Sequence, residues 1–140
     1  MDIRGTLTEK NLVLAYVVKS ENSCRCQLYA AQAVTEGDSA AVELFNEMAR
    51  EDAECARSFL AFCQGGKVTI SMTLRVMDVQ KTSENLRSAA NSARELWAEW
   101  YPKFAEEARS EGLDELANHF QAAAFSGRQQ ELKFMQMLQK

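Results

Sequence analysis

Four thiols and one imidazole are the side chains in this chain whose chemistry goes beyond packing and hydration: Cys24, Cys26, Cys55, Cys63 and His119. A thiolate attacks electrophiles, exchanges with disulfides and binds soft metals, while an imidazole moves protons or ligates metal near neutral pH. The spacing narrows these options. The cysteines make neither the paired Cys-x-x-Cys of a zinc site nor a disulfide framework. One histidine, remote from the other polar clusters, cannot complete a Ser-His-Asp constellation, and His119 is expected at a boundary away from the bundle centre. No phosphate-cradling glycine motif occurs, so Gly65-Gly66 is a helix stop. Met72, Met77, Met135 and Met137 could form an adaptable surface, and Trp97, Trp100 and Tyr101 a ligand cage. Packing in the core and at its rim accounts for both groups equally well.

The elements that carry these residues are helices. With one proline and six glycines in 140 residues, the chain has long uninterrupted helical windows. The spacing predicts helices over about 8–36, 38–64, 83–111 and 114–139, the first capped by Thr8 and stopped at Gly37. Leu12, Ala15, Cys26 and Ala30 mark the inner face of the first helix. Phe45, Met48 and Phe59 mark that of the second, Leu86, Ala93 and Phe104 the third, and Leu116, Phe120 and Phe134 the fourth. Pro102 predicts a kink in the third helix. Residues 67–81 read as an extended crossover. Glu36-Gly37 is followed eight residues after its glycine by Phe45, and Glu111-Gly112 at the same spacing by Phe120. Two helical hairpins joined by a long crossover make the ferritin-like antiparallel four-helix bundle, an all-α single domain over 1–140.

Composition limits the partners. Hydrophobic content of 46% and charged content of 26% suit one compact domain. A net charge of -4 argues against a nucleic-acid surface. No apolar run approaches the roughly 18 residues that span a bilayer. MDIRGTLTEKN lacks a basic-then-apolar leader pattern, so a cytoplasmic location with reduced thiols is expected.

Several segments carry a resemblance to a known family. Gly5-Thr6-x-Thr8-Glu9-Lys10-Asn11-Leu12, the Gly65-Gly66 stop, Thr82-x-Glu84-Asn85-Leu86 and Trp97-x-Glu99-x-Tyr101-Pro102-x-Phe104-Ala105 resemble the ferritin-like domain of rubrerythrin along the whole chain. The resemblance implies a pair of irons held by glutamates and two Glu-x-x-His motifs, peroxide reduction, and a C-terminal four-cysteine iron domain that this sequence does not include. Carried over position by position, the ligands fall on Lys19, on Asp52 and Cys55, on Ala93 and Leu96, and on Gly127 and Gln130. A tyrosine near the metals falls on Cys26. Of these seven ligand positions only Asp52 keeps a carboxylate. Two hard cations need several anionic oxygens to offset dehydration and mutual repulsion, and an ammonium at Lys19 opposes them. Glu21, Glu47, Glu51, Glu54 and Glu95 are expected to face solvent, out of reach.

The implied centre is therefore expected to be absent, with no cofactor and no di-iron peroxidase activity. A buried Lys19–Asp52 ion pair is the natural replacement, with Ala93 and Leu96 filling volume and Gly127 leaving room for the Lys19 stem. The function so implied is a non-enzymatic structural or interaction module. It is expected to form a homodimer, as family habit suggests, with helices able to exchange between copies, and to bind a protein partner of unspecified kind. Two other readings compete. One is a thiol redox protein or sensor using Cys26 and Cys55, with Lys19 lowering a thiol pKa or Asp52 helping to hold a soft metal. The other is a residual metal-binding oxidoreductase of the rubrerythrin type.

Overall fold

A computed structural model describes residues 1–76 and 79–140 of the chain. Helix α1 spans Leu7–Glu36 and α2 spans Ser39–Leu60. Helix α3, Thr82–Glu95, continues through a π-helical turn, Leu96–Trp100, into α4, Tyr101–Ser110, and the three make one rod. Helix α5 spans Asp114–Leu138. The predicted all-α four-helix bundle is present: α1 packs along α2, the third rod packs along α5, and a long segment joins the hairpins, with neither helix nor strand among its described residues. Met77 lies outside the described residues. No helix among the described residues is long and apolar enough to cross a membrane.

Three local expectations need correction. The cap of α1 is Thr6, not Thr8: its hydroxyl oxygen accepts the Glu9 N–H at 3.0 Å, while Glu9 accepts the Gly5 N–H at 3.0 Å. Thr8 already lies inside the first turn. Helix α2 stops at Leu60 instead of residue 64, where the ladder tightens to the Phe62 N–H on the Phe59 carbonyl and the Cys63 N–H on the Leu60 carbonyl. The Gln64 amide accepts the Ile3 N–H at 2.9 Å and donates to the Met1 carbonyl at 2.6 Å, tying down the N-terminal segment. The distortion predicted at Pro102 falls one turn earlier, where the Tyr101 N–H bonds the Leu96 carbonyl across five residues. Proline supplies no donor and crowds the turn before it, and the wider π turn absorbs both effects.

The repeated Glu-Gly turns have a reciprocal function. Gly37 and Gly112 adopt φ of 71° and 75°, where a Cβ would be strained. Each preceding glutamate caps the other hairpin. Glu36 accepts the Thr82 N–H at 2.9 Å at the start of α3. Glu111 accepts the N–H groups of Leu7 at 2.9 Å and Thr8 at 2.8 Å at the start of α1. The two hairpins are thus fastened at both junctions by carboxylates on helix N-termini, which the helix dipole favours.

The core falls into two apolar clusters. One, toward the α1–α2 turn, centres on Tyr29, Phe45, Met48 and Phe134. The other, toward the opposite end, centres on Phe59, Tyr101, Phe104, Leu116 and Phe120. Lys19, Ser23, Asp52 and Gln130, all buried and polar, belong to neither cluster.

Candidate functional site: a polar layer and the cleft above it

Helix periodicity supplies the polar layer with one residue from each of three rods. On α1, Lys19 lies one turn from Ala15 and from Ser23, so it shares their inward face. Asp52 follows Met48 on α2, and Gln130 precedes Phe134 on α5 by the same interval. The Lys19 ammonium donates to Asp52 Oδ1 at 2.9 Å and to Gln130 Oε1 at 3.1 Å. Gln130 Nε2 donates to the same Asp52 oxygen at 3.1 Å and lies 3.4 Å from Glu51 Oε1. Side-chain exposure is only 4% for Lys19 and 6% for Asp52. Ser23 satisfies its hydroxyl on the Ala49 carbonyl at 2.7 Å.

The electrostatics of the layer favour a charged lysine. Burial by itself disfavours the ammonium, but the Asp52 carboxylate and its hydrogen bond outweigh it and hold the Lys19 pKa above the ordinary value. Ala93 and Leu96 are buried beside the layer and supply no donor atoms. Gly127 does not make room for the Lys19 stem. A Cβ built on it would meet Trp97 Cβ at 3.2 Å and the Ala93 carbonyl oxygen at 3.8 Å, so its hydrogen permits close approach of α5 to the third rod.

Above the layer α2 and α5 touch only sparsely, and a cleft of about 340 Å³ opens between them. Lys19 and Gln130 form part of its wall, with Cys55, Ser58, Glu51 and Glu54 from α2 and His119 from α5. His119 is half-buried, as expected of a boundary residue, and it packs on the aromatic residues of the far-end cluster while bordering the same cleft as Lys19 and Cys55. Its ring packs edge-on against Phe59 and Phe62, and its Nε2 lies 3.0 Å from Ser58 Oγ. The Ser58 hydroxyl donates to the Cys55 carbonyl at 2.6 Å. Its one proton is thus spent, so neutral His119 donates from Nε2 and keeps its basic pair on Nδ1. Burial lowers the His119 pKa.

The thiols do not form a pair. Cys26 is buried in the cluster near the α1–α2 turn, whereas Cys55 packs against the opposite cluster and borders the cleft. All four cysteines are free thiols. Burial raises the pKa of Cys26 and of Cys55, and the nearby Lys19 ammonium offsets only part of the rise. Of the glutamates expected to face solvent, Glu54 and Glu95 do so. Glu21, Glu47 and Glu51 are partly buried instead, Glu21 paired with Arg25, Glu47 with Lys133, and Glu51 facing Gln130. Among the described residues no three His, Cys, Asp or Glu side chains are grouped so as to hold a metal ion.

Comparison with known proteins places this geometry in context. A family model described as rubrerythrin matches residues 10–137. A rubrerythrin from Porphyromonas gingivalis is 34% identical over 136 residues, covering 97% of this chain and 68% of its own length. A rubrerythrin from Nitratidesulfovibrio vulgaris is 29% identical over 133 residues, covering 95% of this chain and 70% of its own length. A solved structure of nigerythrin in a mixed-valence state superposes with a TM-score of 0.80 at 20% identity, covering 96% of this chain. The chain spans 66% of that structure, and the likeness extends to the fold.

Proposed function

We propose, from the premise that this chain belongs to the rubrerythrin family, that it is a member in which a buried ion pair stands where the family holds metal. Its work would then be that of a non-enzymatic structural or interaction module. One observation carries this reading: the Lys19 ammonium sits 2.9 Å from Asp52 and 3.1 Å from Gln130. Asp52 is the one carboxylate left at the ligand positions, and its charge is already matched by a cation that no metal would tolerate at that distance. Cys55 and Gln130 add one soft and one neutral donor, while Ala93, Leu96 and Gly127 add none. Such a set does not fit two hard cations, which need several anionic oxygens.

The thiol-redox reading gains no comparable support, since its two cysteines lie in separate clusters and burial keeps both protonated. Homodimerisation belongs to the same proposal. Phe125, Leu132 and Met135 expose apolar surface on α5 that a second copy could cover, which sedimentation would test. The functional test is metal analysis after anaerobic incubation with ferrous iron and desalting, alongside a peroxide-consumption assay. The proposal expects neither retained iron nor peroxide turnover. Stoichiometric iron with turnover would overturn it.

A further inference from the structure

We infer, on the reading that the Lys19 layer holds no metal, that the α2–α5 cleft binds a small aliphatic amine carrying one neutral oxygen acceptor, an amide carbonyl or a hydroxyl. The volume of about 340 Å³ suits a molecule of small-metabolite size. Its lining sets a few polar groups among small apolar ones, and those polar groups differ in sign from one end to the other.

The floor supplies a donor. An ammonium carries three hydrogens, and Lys19 gives one to Asp52 and one to Gln130. The third has no acceptor among the described residues, although Lys19 is only 3% exposed. A buried donor left in that state is costly. Gln130 cannot relieve it: its amide oxygen already accepts from Lys19, and its amide nitrogen is turned to Asp52 and Glu51. Lys19 borders the cleft, so that is the side from which an acceptor reaches it. Asp52 already balances the lysine charge, which makes a neutral oxygen a better match than a carboxylate.

The wall supplies negative charge. Glu51 and Glu54, one turn apart on α2, have no ion-pair partner among the described residues, and no arginine lines the cleft. His119 adds no compensating charge, because burial favours its neutral form. A cation is therefore drawn in. Among the described residues these carboxylates and His119 are not grouped to hold a metal ion, so the cation is organic. Ala122 and Ala123 leave an apolar, uncrowded stretch of wall for its methylene chain. The carboxylates alone would accept any amine; the third Lys19 hydrogen selects one with an oxygen at its other end.

The full chain, treated with a chelator and checked by metal analysis, would be titrated calorimetrically with δ-aminovaleramide, valeramide and pentylamine. The ring protons of His119, the single histidine, report by NMR whether the ligand enters the cleft. δ-Aminovaleramide is expected to shift those signals and to bind about tenfold more tightly than either truncated probe, each of which forgoes one hydrogen bond to a charged group. Glu54→Gln, at an exposed position that leaves the fold intact, should weaken δ-aminovaleramide and leave valeramide unchanged. The chain with Lys19→Met, Asp52→Leu and Gln130→Leu should hold δ-aminovaleramide no more tightly than pentylamine. Absence of binding, binding that leaves His119 unmoved, equal affinity for the three probes, or a Glu54→Gln chain that binds like the parent would each overturn the inference and leave the metal-free reading standing. Iron that survives the chelator would overturn both.

Discussion

Lys19 Nζ lies 2.9 Å from Asp52 Oδ1 with both side chains nearly sealed from solvent, and Gln130 bonds to both partners. Removing one member of such a group leaves the others buried and uncompensated. Lys19→Ala is expected to destabilise the fold by about 3–5 kcal/mol. Replacing the ion pair alone, Lys19→Met with Asp52→Leu, strands the Gln130 amide and recovers only part of the loss. Adding Gln130→Leu removes the last unpaired group and should return stability close to that of the parent chain. Urea unfolding of the four proteins measures the order directly.

Gly127→Ala pits helix propensity against packing. Alanine gains about 1 kcal/mol in a helix interior, but the new methyl would sit 3.2 Å from Trp97 Cβ. That atom is anchored to the backbone and cannot swing aside, so the rods must separate slightly. A net loss of about 1 kcal/mol is expected, read as a lowered melting temperature.

His119 sets an acid limb of stability. Burial lowers its folded pKa below the ordinary value near 6.5. The unfolded chain therefore takes up a proton at higher pH than the folded chain. Stability is full above about pH 6.5 and is lost as pH falls from there toward the folded pKa. Urea midpoints at pH 7.5 and pH 5 should differ, and His119→Gln should shrink the difference.

Glu111 acts at lower pH. Burial opposes its charged form, but hydrogen bonds from Thr8 and Leu7 prevail and hold its pKa below 4.5. Its contribution is present above that value and is lost as pH falls through the folded pKa. Glu111→Ala is expected to speed amide exchange at Leu7 and Thr8 while leaving the start of α3, capped by Glu36, unaffected.

The four rods were legible because their punctuation is local: Gly37 and Gly112 stop helices by φ alone, and the repeated Glu-Gly turns announce two hairpins. Lys19 and Asp52 were legible as partners because each shares the inward phase of a regular helix. Other features depend on distant chain. Gln64, just past the end of α2, holds Met1 and Ile3 across the chain, and the site of the third-rod distortion follows from how a π turn relieves Pro102. Gly127 answers to Trp97 across a helix interface, which no spacing within α5 reveals. His119 faces the cleft only because α2 and α5 diverge, an inter-helix distance with no signature in either segment.

The account turns on what occupies the space between α1, α2 and α5. A crystal structure of the full chain grown with excess ferrous iron, with anomalous data at the iron edge, looks there directly. The account predicts Lys19 Nζ within hydrogen-bond distance of Asp52 and Gln130 and no anomalous peak beside them. An iron peak bridged by Asp52, with the lysine swung away, would contradict it.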